Sequence, residues 1–143
     1  MDITGTYAFN APPERVWNLL MDPAALAGCI PGCEQLTPAG EDRYQARLNV
    51  SLAAITGTYE GTVIISDKKP FDSYSLTVEG QGKPGVVKGT VQIALRPSGD
   101  GTEVSVVGAV QTGGVIARLG QRLIGGVSKM MQDRFFACLA SKV

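Results

Sequence analysis

Hydrophobic and polar positions alternate with a period of two over much of residues 43–112, which is the pattern of strands with one buried and one solvated face. The first run covers Tyr44–Leu52, and four further runs lie at residues 59–65, 74–78, 91–95 and 104–110. Stretches rich in glycine, proline and aspartate separate the runs, as in turns. The pattern predicts an antiparallel sheet with one dry and one wet face.

Helical patterns flank this region on both sides. Pro12 and Pro13, followed by Glu14, are typical of the first turn of a helix. Asp22-Pro23 ends that helix and begins a second short one, which Pro31-Gly32 ends. From Gly113 onward the apolar residues fall at helical spacing, although glycines interrupt them at 120, 125 and 126. This spacing predicts one helix over about residues 115–140, roughly 39 Å long.

These elements define a fold class. A curved antiparallel sheet must bury its apolar face, and the C-terminal helix is the element long enough to cover it. We therefore expect a single α+β domain over residues 1–143. Its strongly curved antiparallel sheet of about seven strands wraps around the long C-terminal helix, with two short helices after the first strand.

Charge and hydropathy exclude several classes of protein. The chain has 13 basic and 13 acidic residues, so it lacks the excess of basic residues expected of a nucleic-acid-binding protein. The N-terminal residues do not resemble a signal peptide, and charged and polar residues interrupt the apolar stretch at 115–131, so we expect neither export nor a membrane span. A cytoplasmic protein is the expectation.

The chain is poor in catalytic and metal-binding side chains. It contains no histidine, the commonest general base and metal ligand, so we expect no catalytic residue, no metal site and no cofactor. The pair Cys29 and Cys33 is either redox-active or, as we favour, a pair of small packing residues in a reduced compartment, where a disulfide framework is improbable. Gly80, Gly82 and Gly85 match the spacing of a dinucleotide-binding loop, but a strand rather than a helix follows them, which favours a hairpin.

Small residues on the dry face have two interpretations. Gly61, Gly89 and Gly108 stand where large side chains normally fill a core. They either permit a sharp bend of the sheet or leave an apolar cavity of roughly 300–1,000 Å³. Such a cavity would take a neutral hydrophobic small molecule, because an ionised ligand would be left unpaired. The candidate lining residues are Trp17, Cys29, Ile30, Leu48, Val50, Tyr59, Val63, Leu76, Val91, Ile93, Val106, Ile116, Leu119, Gly120, Leu123 and Val127.

Several motifs resemble those of the CoxG family, the G-subunit family of carbon monoxide dehydrogenase, within the START/Bet v 1-like (SRPBCC) helix-grip superfamily. They are Ala11-Pro-x-x-x-Val-Trp, Asp22-Pro-x-x-Leu, Cys29-Ile-Pro-Gly-Cys33, Gly57-x-Tyr-x-Gly61, Gly80-x-Gly-x-Pro-Gly85 and Leu119-Gly-Gln-Arg-Leu. The resemblance spans essentially the whole chain. It implies a helix-grip fold and a cavity rather than bends alone.

The resemblance also implies a non-catalytic accessory protein whose partners are the subunits of a molybdenum-flavin dehydrogenase. A quinone fits both the cavity chemistry and this context. Two alternatives stay open: an assembly or membrane-recruitment factor that acts through protein contacts, and a cyclase or hydrolase that uses the cavity. The oligomeric state, including a homodimer, is also open.

A carrier of quinones must meet a bilayer. We expect transient contact with the inner membrane face, made by the loops Ile30–Cys33 and Gly82–Val87. Ile30, Val86 and Val87 are the insertable side chains, and Lys83 and Lys88 would lie near anionic headgroups.

Overall fold

The computed structural model of the protein describes residues 1–51 and 55–143, so Leu52 of the first alternating run lies outside the described residues. Seven strands and four helices follow one another in these described residues. They are β1 (Asp2–Phe9), α1 (Pro13–Leu20), α2 (Pro23–Cys29), β2 (Cys33–Pro38), β3 (Arg43–Val50), β4 (Gly57–Lys69), β5 (Ser73–Gly82), β6 (Gly85–Ser98), β7 (Gly101–Gly114), α3 (Val115–Arg118) and α4 (Gln121–Ala140).

The strands form one antiparallel sheet in the order β1-β7-β6-β5-β4-β3-β2. From β2 to β7 each strand pairs with its sequence neighbour, and β1 closes the order by pairing with β7. The predicted alternation holds in the register: Ala46 lies opposite Gly61, and Leu48 lies opposite Tyr59. The fold prediction of a seven-stranded sheet with a C-terminal helix and two short helices after β1 is confirmed.

The core is unevenly distributed along α4. A large cluster joins the C-terminal part of α4 to α1, α2 and the sheet; its buried members include Phe9, Val16, Trp17, Leu20, Tyr74, Ile93, Val104, Phe136 and Leu139. A second, small cluster consists of Val50, Tyr59 and Ile116, with half-buried neighbours that include Ile124. Phe136 and Leu139 of α4 are buried, whereas Ile124 and Val127 nearer its start are only half-buried.

The prediction of one unbroken helix over residues 115–140 is wrong at its N-terminal end. Gly120 has φ +87° and ψ 152°, a backbone conformation that L side chains rarely adopt and that is not helical. The chain therefore forms the short α3, turns at Gly120 and starts α4 at Gln121. Gly125 and Gly126 do lie inside α4.

The cysteine prediction is corrected as well. Cys29 at the end of α2 forms a disulfide with Cys138 in the last turns of α4, with the two Cα atoms 5.4 Å apart. The two residues are 109 positions apart, so spacing along the sequence gave no sign of the bond. Cys33 is a half-buried free thiol whose pKa is raised by burial.

Candidate functional site

A cavity of about 180 Å³ lies between the sheet and the N-terminal half of α4, partly open to solvent. It is smaller than the roughly 300–1,000 Å³ expected from the sequence, which is also the usual range for drug-sized ligands. Its walls come from the strands, the segment before β4, α3 and α4. The lining residues are Val50, Ile55, Tyr59, Val87, Val110, Thr112, Ile116, Ile124, Val127, Ser128 and Met131.

The lining residues are spaced along the sequence as in a strand on one side of the cavity and as in a helix on the other side. Val110 and Thr112 are two positions apart on β7 and therefore face the same side of the sheet. On α4, the lining residues are spaced i, i+3, i+4 and i+7, which is one face of a helix; they are Ile124, Val127, Ser128 and Met131. The cavity is therefore a gap between a helix face and a sheet face.

The walls are neutral and almost wholly apolar. Among the described residues that line the cavity, none carries a charge, and hydroxyls come from Tyr59, Thr112 and Ser128. The Tyr59 hydroxyl donates a hydrogen bond to the Ile55 carbonyl oxygen at 2.6 Å. Burial raises the Tyr59 pKa, so the phenol stays neutral at physiological pH. An anion or a cation would find no partner of opposite charge on these walls.

Polar contacts fix the middle of α4 to the edge strand β1. The Tyr7 hydroxyl donates to Asp133 Oδ1 at 2.7 Å and accepts a hydrogen bond from Gln132 Nε2 at the same distance. Lys129 Nζ lies 2.5 Å from the same Asp133 oxygen, and the hydrogen bonds from Lys129 and Tyr7 lower the Asp133 pKa. Desolvation and then the Asp133 hydrogen bond raise the Tyr7 pKa. This network lies on the C-terminal side of the cavity and sets where α4 meets the sheet.

Glycines of the sheet lie where the backbone of a neighbouring strand leaves no room for a side chain. A Cβ atom added to Gly61 would collide with the Glu79 carbonyl oxygen of the neighbouring strand, and one added to Gly108 would collide with the Thr90 carbonyl oxygen. Close backbone approach therefore accounts for these two positions. A Cβ added to Gly89 would lie 2.9 Å from the Ala109 carbonyl oxygen and 2.7 Å from Cγ2 of Val110, a residue of the cavity wall, so this position also combines close backbone approach with contact to the wall.

The structure brings four of the residues predicted to line a cavity into this wall: Val50, Tyr59, Ile116 and Val127. Most of the others belong to the packed core instead. Trp17, Cys29, Ile93 and Val106 are buried in the large cluster, Leu76 and Val91 pack against it, and Leu48 packs against the small cluster.

The remaining five predicted residues lie away from the cavity lining. Ile30 caps the C-terminal end of α2, Leu119 caps α3, and both are half-buried, as is Val63. Gly120 and Leu123 would face inward on a continuous helix. Because the chain turns at Gly120, this glycine is exposed and Leu123 is 49% exposed.

Seven of the lining residues are absent from the sequence-based set: Ile55, Val87, Val110, Thr112, Ile124, Ser128 and Met131. Three of them carry a usable signal, because Val110 continues the dry face of β7 and Ile124 and Met131 lie on the apolar stripe of the helix. Ser128 shares that stripe four residues after Ile124 but is polar. Val87, expected in a membrane-facing loop, belongs instead to β6 and lines the cavity.

The described residues offer neither a metal site nor a membrane-spanning helix. Within residues 1–51 and 55–143, no three histidine, cysteine, aspartate or glutamate side chains come together as a metal site would need. In the same residues, no helix has both the length and the hydropathy to cross a membrane.

Comparison with known proteins identifies the relatives of the chain. A family model for the G subunit of carbon monoxide dehydrogenase (CoxG) matches residues 5–143. A conserved protein from Geobacillus kaustophilus, known from its crystal structure, is 36% identical, with a TM-score of 0.96 over 99% of this chain and 94% of that one. No curated protein matches the chain at a significant level.

More distant structures share the fold alone. A protein from Chromobacterium violaceum is 18% identical, with a TM-score of 0.73 over 98% of this chain and 95% of that one. A protein from Rhizobium loti is 14% identical, with the same TM-score over 100% of this chain and 96% of that one.

Proposed function

The chain belongs to the CoxG family of carbon monoxide dehydrogenase, and we propose that it is a non-catalytic accessory protein that binds a neutral hydrophobic ligand, a quinone, for a molybdenum-flavin dehydrogenase. The family supports the coarser part of this statement, an accessory role for carbon monoxide dehydrogenase. The observation that supports the ligand is the uncharged cavity under α4.

The chemistry of the walls is compatible with a quinone head. Quinone carbonyls are neutral and only accept hydrogen bonds, so each needs a donor. The Tyr59 hydroxyl already donates to the Ile55 carbonyl. The hydroxyls of Thr112 and Ser128 are the donors that the cavity wall offers. The Thr112 hydroxyl on β7 and the Ser128 hydroxyl on α4 would then hold a single quinone ring between sheet and helix.

The size of the cavity sets how much of the ligand it encloses. About 180 Å³ suits one ring or a short alkyl segment rather than a whole isoprenoid quinone. The rest of the molecule would extend through the open side of the cavity. One end of the ligand would thus be bound in the cavity, and the other end would remain available to a bilayer or to the dehydrogenase.

A displacement experiment tests the ligand class. The protein is loaded with the neutral dye Nile red, and two competitors are titrated in separate experiments. One is a short-chain ubiquinone, and the other is anthraquinone-2-sulfonate, which has a quinone ring system but carries a charge. We expect the neutral quinone to displace the dye and the sulfonate to displace it at least about ten-fold less well. Equal displacement by both would overturn the proposal of a neutral cavity ligand.

A second experiment separates a carrier from a recruitment factor. Quinone reduction by a purified carbon monoxide dehydrogenase is measured with the parent chain and with a variant whose cavity is filled. A carrier stimulates the reaction only with an open cavity. Stimulation that the filled variant retains would instead support assembly or recruitment through protein contacts.

A further inference from the structure

The disulfide between Cys29 and Cys138 joins two helices that lie far apart in the chain. Cys29 is the last residue of α2, and Cys138 lies two residues before the end of α4. The chain between them contains strands β2–β7, α3 and every residue that lines the cavity. The bond therefore closes a loop that includes the whole cavity.

Apart from this bond, α2 is a weakly stabilised element. It has seven residues, fewer than an isolated helix needs to be stable in water. Its buried residues are Ala25, Leu26 and Cys29, and Leu26 is the one large side chain among them. Its N-terminal cap, the Asp22 carboxylate that accepts from the Ala24 amide at 3.0 Å, lies on the surface. The covalent link to α4 therefore compensates for a small buried surface.

The two half-cystines differ in accessibility. Cys29 is 4% exposed, whereas Cys138 is half-buried. Reduction begins when a thiolate attacks one sulfur of a disulfide and expels the other as a thiolate, so access decides which sulfur is attacked. The burial of the pair thus assigns Cys138 as the attacked sulfur and Cys29 as the leaving group.

The structure accommodates the reduced form in the same place. Cys138 Sγ lies 3.7 Å from the Gly28 carbonyl oxygen, so the thiol of a reduced Cys138 has a hydrogen-bond acceptor at hand. Cys29 packs in the large apolar cluster, which suits a reduced cysteine as a small hydrophobic residue. Reduction therefore leaves the native contacts in place and acts chiefly by freeing the unfolded chain, as expected for a cross-link over a long loop.

We propose that the disulfide between Cys29 and Cys138 is a redox switch that sets the lifetime of the ligand-free protein. A cross-link over such a loop shifts the folding equilibrium toward the native state by at least about 30-fold. A ligand at about 100 times its dissociation constant shifts it by about 100-fold. Either one keeps the protein folded, and the form that is both reduced and empty is the labile one. The ligand part of this statement rests on the proposed function.

The switch works by thiol–disulfide exchange with a dithiol reductant. One thiolate of the reductant attacks Cys138 Sγ, the bond to Cys29 Sγ breaks, and Cys29 leaves as a thiolate that takes a proton from water. The second thiolate of the reductant then attacks its own sulfur in the mixed disulfide. This step releases Cys138, which is also protonated, and leaves the reductant as a disulfide. Two electrons thus pass from the reductant to the protein.

Proteolysis by subtilisin tests the switch, because cleavage reports the population of the unfolded form. The oxidised parent is compared, without ligand, with the parent reduced by dithiothreitol. The reduced form should be cleaved at least about 30-fold faster. Cys33→Ser is the matched control: it removes the free thiol and keeps the disulfide, so it should show the same redox response. Cys29→Ala, Cys138→Ala should be cleaved like the reduced parent under both conditions.

The ligand part is tested on the double alanine variant, so that no reductant meets the quinone. A short-chain ubiquinone at about 100 times its dissociation constant should slow cleavage of this variant by about 100-fold. An intact redox response without protection by ubiquinone refutes the proposed ligand alone. Equal cleavage of the oxidised and the reduced parent refutes the switch, whatever ubiquinone does. The comparison on the parent needs no substituted protein, so it decides the question even where the double variant does not fold.

A trapping experiment tests the direction of attack. With the monothiol glutathione the mixed disulfide accumulates, and alkylation by N-ethylmaleimide followed by peptide mass spectrometry locates it. We expect glutathione on Cys138 in at least about ten-fold excess over Cys29, because Cys138 is the more exposed residue. Glutathione mainly on Cys29 would overturn the assignment of Cys138 as the attacked sulfur.

Discussion

Replacing Val127 by phenylalanine should stabilise the fold and weaken ligand binding at the same time. Val127 lies on the face of α4 that lines the cavity of about 180 Å³. A benzyl group exceeds an isopropyl group by about 50 Å³, and at about 24 cal/mol per Å³ of cavity volume this filling contributes about 1.2 kcal/mol to the free energy of unfolding. For a domain of this size the melting temperature should rise by about 2–5 °C.

The same ring should occupy more than a quarter of the space open to a ligand. We expect the affinity for Nile red and for a short-chain ubiquinone to fall at least about ten-fold, a loss of about 1.4 kcal/mol in binding free energy. Thermal unfolding followed by circular dichroism and a fluorescence titration are the two assays. Opposite signs in the two assays distinguish a filled cavity from general damage, which lowers both stability and binding.

Val107→Phe is the matched control. Val107 is 56% exposed on the outer face of β7, where an added ring meets solvent, so both assays should match the parent. If Val127→Phe lowers the melting temperature, the packing argument fails. If it leaves both ligand affinities unchanged, the ligand is bound somewhere other than under α4.

Three further changes test the framework around the cavity. Cys138→Ser removes the disulfide to Cys29, which should cost about 2–5 kcal/mol of unfolding free energy; dithiothreitol should then lower the melting temperature of the parent but not of the variant. Gly108→Ala should cost more than about 2 kcal/mol because its Cβ collides with the next strand, whereas Gly80→Ala, which meets open space, should stay within about 0.5 kcal/mol in urea unfolding. The Asp133 pKa is lowered in the folded state, so its stabilising effect is present above the unfolded pKa near 3.8 and is lost as the pH falls through the folded value. The stability difference between the parent and Asp133→Asn should therefore stay constant from about pH 7 to about pH 5 and shrink as the pH falls further. A difference that stays constant down to about pH 2 would contradict the ion pair.

The fold was predictable because its signals are local and repeat many times. Each strand carries its own alternation, and an error at one position does not change the period of the others. The break at Gly120 was not predictable in the same way. A glycine in an apolar helical pattern is compatible with both a helix interior and a turn, and only the φ of +87° distinguishes them.

The cavity was less predictable than the fold because it depends on where α4 is held. Ile93 and Val50 both occupy apolar positions of an alternating strand pattern, so the sequence does not distinguish them. In the structure, Ile93 is buried in the large cluster, whereas Val50 lines the cavity. The difference arises from the distance between helix and sheet at each point. That distance depends on contacts between residues far apart in the chain, such as Tyr7 with Asp133.

These anchors are distributed along α4 in a way that bears on how a ligand enters. The C-terminal end is held by the disulfide at Cys138 and by the buried Phe136 and Leu139, and the middle is held by Asp133. The N-terminal half has half-buried contacts and begins at a glycine with positive φ. Local opening is easiest where few apolar contacts are buried. The cavity thus lies under the half of the helix that has no fully buried residue, and the ligand proposed above would enter there through a small displacement of that half while the large core cluster stays packed.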